Sequence, residues 1–138
     1  MAHSPSSLRI GVVQMRSVAD PWQNLFHVQA TVEEALEHRC DFVCFPENVF
    51  YRGPKEGPGG VSRSEAHLSL DESGRIERKS EFAYALAECA DAWSIPVSLG
   101  SVLETTPGHD LPYNSHWIVH PGGRVESYRK MHLFDFQG

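Results

Sequence analysis

A strongly capped helix flanked by two short, unbroken apolar runs restricts this chain to a few architectures. Residues 8–15 (Leu-Arg-Ile-Gly-Val-Val-Gln-Met) read as a first strand. Gly11-Val-Val13 is apolar at consecutive positions, the pattern of a strand buried on both faces. Asp20-Pro-Trp-Gln23 marks a helix start: Asp20 can cap, Pro21 suits the first helical position, and Gln23 can reach back to the cap. Leu25, Val28, Val32, Ala35 and Leu36 keep helical spacing to about Arg39. Residues 41–46 form a second short apolar strand. Strand, helix, strand in this order predicts an α/β sheet with parallel crossovers.

The rest of the chain extends that pattern. Residues 50–78 hold Arg-Gly-Pro-Lys-Glu-Gly-Pro-Gly-Gly and Asp-Glu-Ser-Gly and read as a long loop, the kind of segment that forms lids or pocket walls. Ser80 can cap a second helix with Phe82, Leu86, Cys89 and Trp93 on its apolar stripe, ended by Ile95-Pro96. Residues 96–103 are a third strand. Residues 113–120 and 124–130 pair as a hairpin across Pro121-Gly-Gly123. There is no internal repeat, low-complexity tract or domain boundary. The expected organisation is one domain over residues 8–138 behind a disordered arm, residues 1–7.

Composition excludes several classes. With 138 residues, 41% apolar and 22% charged, the chain can build a core of its own. A net charge of −6 with scattered Lys and Arg argues against nucleic acid or an anionic membrane as partner. The densest basic stretch, residues 75–79, includes Glu77 and reads as a solvated face. No apolar run approaches the roughly 20 residues of a membrane span. The N-terminus has no basic-then-apolar leader pattern. Three cysteines, an odd number, do not make a disulfide framework. A reducing cytoplasm is the expected compartment.

Chemistry concentrates at two strand ends. Glu47 closes the run from Asp41, and Lys130 closes the hairpin. A carboxylate and an amine brought together there suit general-base and oxyanion chemistry. From position alone, each also reads as an ordinary solvated residue. Cys44 stands three residues before Glu47, an odd spacing that points the two apart on a strand, and reads as packing. Cys89 fits the core stripe of the second helix, and nothing near Cys40 suggests activation. Ser127 and Lys130 match a serine–lysine spacing that works on a helix, whereas on a hairpin strand they diverge. His116 and His120 lie about 13 Å apart along a strand, too far to share one metal ion. Gly57-Pro-Gly-Gly60 lacks the Lys-Ser/Thr of a phosphate loop.

Four segments, in order and spacing, resemble the N-terminal half of the nitrilase, or carbon–nitrogen hydrolase, superfamily: Arg9-Ile-Gly-Val-Val-Gln-Met15, Asp41-Phe-Val-Cys-Phe-Pro-Glu47, Tyr113-Asn-Ser115 and Tyr128-Arg-Lys-Met-His-Leu-Phe134. The resemblance runs from Leu8 onward. It implies half of an αββα sandwich and hydrolysis of nonpeptide amide or nitrile C–N bonds by a Glu-Lys-Cys set, with no metal or organic cofactor. It assigns Glu47 as general base and Lys130 as oxyanion stabiliser, with the nucleophilic Cys some tens of residues further on. The Tyr-Arg-Lys-x-His-Leu-Phe-Asp form is most similar to the branch acting on small ω-amides and deaminated peptides. Tyr51 and Asn114 are candidates for the substrate pocket, with packing or turn capping as their competing roles.

Three functional readings follow. One is a C–N hydrolase acting on a small amide or nitrile, inactive alone and completed by a C-terminal half or within a homo-oligomer. The second is a non-catalytic truncated partner subunit. The third, a foil, is a serine–lysine hydrolase using Ser127 and Lys130. The strands look apolar on both faces while the helices cover only one, so an open apolar face and association are expected.

Overall fold

The computed structural model describes residues 7–132. The expected arm, apart from Ser7, and the last six residues of the expected domain lie outside them. The element order is β1 (Ile10–Val12), α1 (Pro21–Glu37), β2 (Phe42–Phe45), β3 (His67–Leu68), α2 (Glu81–Ala92), β4 (Val97–Glu104), β5 (Tyr113–Val119) and β6 (Val125–Arg129).

Six strands form one sheet in the order β1-β2-β4-β5-β6, with β3 beside the far end of β4. β1, β2 and β4 are parallel, and β4, β5 and β6 are antiparallel. Register alternates faces. Val43, Val97, Leu99, Trp117 and Val119 share one face and are fully buried. Leu25, Val28 and Val32 from α1 and Phe82 and Leu86 from α2 pack into the same core. Phe50 and Trp22 meet the Phe82 ring edge-on, tying the two helices to the segment after β2.

Both helix starts follow their sequence signals. Asp20 accepts the Trp22 and Gln23 amides, with Pro21 in the first turn. The Ser80 hydroxyl accepts the Ala83 amide. The return contact expected of Gln23 is not made: Asp20 serves as an acceptor cap only.

Two expectations need correction. β1 is not buried on both faces. It is an edge strand of three residues, and Val12 is 81% exposed. Its outward face lies opposite the helices, where the described residues provide no cover. Residues 50–78 are not a structureless loop either. They contain 3-10 turns at Pro58–Gly60 and Arg63–Ala66, the second closed by a Ser62–Glu65 capping box, and then β3, which pairs in parallel with Leu103 and Glu104. Burial of Ala66, Leu68 and Ile76 explains the order. The basic stretch is a solvated face, as read: Arg75 and Arg78 pair with Asp91, Arg78 also with Glu88, and Lys79 with Glu77.

The face opposite the helices carries Ile10, Val12, Phe42, Cys44, Ser98, His116, Ile118 and Tyr128 by register. It is the uncovered apolar face expected from the strand composition, with Ile10 50% and Tyr128 59% exposed.

Candidate active site

Glu47 stands in a sharp turn at the C-terminal end of β2. Pro46 cannot donate to a ladder, and β2 stops at Phe45. Asn48 takes a left-handed backbone (φ 55°), a conformation that Asn tolerates better than most residues. β4 holds this turn from the side. The Ser101 hydroxyl accepts the Asn48 amide at 3.1 Å, and the Ser101 carbonyl accepts the Val49 amide at 3.0 Å. The β4–β5 register shifts between Leu99 and Val102. At Gly100, inside that irregularity, a Cβ would lie 3.0 Å from the Phe45 carbonyl oxygen. Only glycine lets β4 approach the end of β2 this closely without displacement. The Gly100-Ser101 bulge is a part of the site that sequence reading missed. Its one signal was a glycine inside an apolar strand.

Asn114 and Lys130 converge on Glu47. The Asn114 amide nitrogen donates to Glu47 Oε1 at 3.2 Å, and Lys130 Nζ lies 3.5 Å from the same oxygen. The Lys130 backbone amide donates to the Asn114 carbonyl at 2.9 Å, continuing the β5–β6 ladder one residue past β6. All three therefore share the uncovered sheet face, across strands that are distant in sequence. The ion pair is about half exposed on both sides. Such pairs contribute about 0–1 kcal/mol, so fold stability alone does not account for this convergence.

Behind this cluster, on the helix side, sits a second polar group. Glu104 is 3% exposed. Its Oε2 accepts the Ser115 hydroxyl at 2.6 Å, the Ser127 hydroxyl at 3.0 Å and Arg129 Nε at 3.2 Å. A second Arg129 nitrogen reaches Oε1 at 3.3 Å, and the guanidinium lies over the Tyr113 ring. Burial pushes the Glu104 carboxyl up, but the Arg129, Ser115 and Ser127 hydrogen bonds outweigh it and hold the carboxyl below its usual range. A wide cleft borders this group, and none of Glu47, Asn114 or Lys130 lines it.

The other candidates separate clearly. Tyr51 is buried, and its hydroxyl donates to the Pro54 carbonyl at 2.6 Å, bracing the following loop rather than joining Glu47. Ser127 faces Glu104 while Lys130 faces Glu47, so the serine–lysine pair diverges as expected for a strand. His116 pairs with the Ser98 hydroxyl, and His120 with Glu126. Cys44 lies on the uncovered face by register, and the alternation that would point it away from Glu47 lapses because β2 ends at Phe45. Burial pushes its thiol up, the opposite of nucleophile activation. Burial also raises the Cys89 thiol, with the Glu88 charge adding to it. Among the described residues no group of three His, Cys, Asp or Glu side chains could hold a metal ion.

The family model for carbon–nitrogen hydrolases matches residues 9–138. The chain belongs to the carbon–nitrogen hydrolase family. A curated relative from Dictyostelium discoideum, deaminated glutathione amidase, is 31% identical over 134 residues, covering 92% of this chain and 42% of its own length. The carbon–nitrogen hydrolase chain is also similar to the C. elegans NitFhit protein, at 28% identity and a TM-score of 0.66. That match covers 93% of this chain and 29% of NitFhit. Nit3 of Saccharomyces cerevisiae, a member of branch 10 of the nitrilase superfamily, shares the fold at 19% identity and a TM-score of 0.68 over 91% of this chain and 44% of Nit3. This carbon–nitrogen hydrolase segment thus spans less than half the length of these relatives. The α/β architecture is half of the nitrilase-type αββα sandwich.

Proposed function

We propose that residues 8–138 supply the general base and the oxyanion stabiliser of an amidase-type carbon–nitrogen hydrolase acting on a small amide or nitrile. The nucleophilic cysteine comes from the part of the domain that the relatives have beyond the matched segment. The observation that carries this reading is the convergence of Lys130 and Asn114 on one oxygen of Glu47, on the face where a second sheet would close the site.

In this reading the thiol attacks the carbonyl or nitrile carbon as Glu47 accepts its proton. The Lys130 ammonium stabilises the negative charge that develops on the substrate heteroatom. For an amide, ammonia or an amine leaves with a proton returned by Glu47, and water then hydrolyses the thioester with Glu47 as base. Asn114 holds the Glu47 carboxylate toward this chemistry and borders the pocket. The name of the Dictyostelium relative, deaminated glutathione amidase, favours an amide of a deaminated peptide as substrate. These 138 residues alone turn over nothing, because burial raises the Cys44 and Cys89 thiols and neither hydrogen-bonds Glu47.

The test is ammonia release from a panel of small ω-amides by the full-length protein. Glu47→Gln and Lys130→Met should each lower kcat by roughly a hundredfold or more. Turnover that survives both substitutions would overturn the assignment.

A second reading has one observation in its favour. The uncovered apolar face suits a partner subunit that docks by its sheet, through a second copy or a complementing half. Association without any hydrolysis would support it.

A further inference from the structure

Which of two adjacent cations faces Glu47 depends on the register of β6, and that register has little apolar support. Of the five β6 residues only Val125 is buried; Glu126, Ser127, Tyr128 and Arg129 are all exposed. β6 is also the last strand in the order among the described residues. A strand with no buried stripe is prone to slip, and a slip of one residue moves every side chain to the other face. In a slipped β6, Arg129 would face Glu47 and Lys130 would face the helices.

We propose that Glu104 is a positioning residue for Lys130: by gripping Arg129 and Ser127 on the helix side, it holds Lys130 on the opposite face beside Glu47. This rests on the reading of Lys130 as oxyanion stabiliser. Ser115 stands opposite Arg129, and Ser127 stands opposite the fully buried Trp117. Glu104 therefore reaches one β5 residue and two β6 residues that all project to its own side. A carboxylate this buried is costly without its cation, which penalises any register that carries Arg129 away. The forked guanidinium accepted at both Glu104 oxygens, with the Tyr113 ring against it, selects arginine over lysine for the inner position. The ammonium is left for the outer one. The pairing thus sorts two neighbouring basic residues between two faces of one strand.

The test compares wild type with Glu104→Gln and Arg129→Lys in the full-length protein. Hydrogen exchange is read at single residues, at a temperature where all three are folded. The Lys130 amide, bonded to the Asn114 carbonyl, should exchange about tenfold faster in Glu104→Gln while α1 and β2 amides are unchanged. Arg129→Lys, which keeps the charge and loses the fork, should fall between the two. With an amide substrate, both variants should lower kcat with little change in KM, since Lys130 acts on charge that appears only in the transition state. A general loss of stability would not split the two constants in that way. Unchanged Lys130 exchange in both variants overturns the positioning role. If the wild type hydrolyses no amide, the functional reading fails, and the exchange experiment still decides whether Glu104 sets the register.

Discussion

At the scale of single residues, the candidate site was half legible. Glu47 and Lys130 stand out because each ends a strand-like run, and the family motifs surround them. Asn114 was named as a pocket residue; the structure also gives it a hydrogen bond to Glu47. Tyr51 shared that reading, yet its hydroxyl went to Pro54, because a buried phenol takes the nearest carbonyl. Glu104 was invisible. At the end of an apolar strand it looks like a boundary residue, and its partners lie 11 to 25 positions away. Its burial makes a pH prediction. A carboxyl held low in the folded state gives stability that is full above the ordinary carboxylate value of about 4.3 and is lost as pH falls through the folded value. Urea midpoints measured from pH 7 down to pH 3 should therefore decline, and Glu104→Gln should flatten the part of the decline below about pH 5. An unchanged slope would mean that the Arg129 pair does not hold the carboxylate. His67, shifted down by burial and then by the Arg63 charge, adds a loss beginning nearer neutrality that Glu104→Gln leaves in place.

At the scale of elements, helices and parallel order were readable and the details of β4 were not. Asp20, Pro21 and Ser80 announce the two helix starts locally, so one sequence window suffices. The bulge at Gly100-Ser101 depends on contact with β2, more than 50 residues away, and no local pattern reports it. β3 was missed for the same reason: two residues inside a Gly- and Pro-bearing stretch become a strand only because the far end of β4 offers a free edge. The bulge predicts the effect of one methyl group. Gly100→Ala places a Cβ 3.0 Å from the Phe45 carbonyl oxygen, so either β4 or the Glu47 turn must shift. The expected cost is about 1–3 kcal/mol in denaturant unfolding, with a larger fractional loss of activity than of stability. A variant with wild-type midpoint and wild-type activity would show that the close approach is not needed.

At the scale of the whole molecule, one sheet carries helices on one face and candidate chemistry on the other. That layout suits half of an αββα sandwich, since the candidate site lies on the face where a second sheet would pack. The strands' two-sided apolar character signalled it in sequence, although the edge strand β1 proved exposed rather than buried. The 138-residue chain by itself should associate through the face bearing Ile10, Val12 and Tyr128, giving a concentration-dependent sedimentation coefficient. Val12→Glu at the sheet edge should reduce that association without touching the Glu47 cluster. A stable monomer with a sharp cooperative unfolding transition would contradict the account of the open face.

Whether Glu47 and Lys130 serve as base and oxyanion stabiliser is decided by ammonia release from small ω-amides by the full-length protein, compared among wild type, Glu47→Gln, Lys130→Met and Ser127→Ala. Wild type should release ammonia, the first two variants should lose roughly a hundredfold or more, and the third should lose much less. Turnover that survives Glu47→Gln but disappears in Ser127→Ala would contradict those roles.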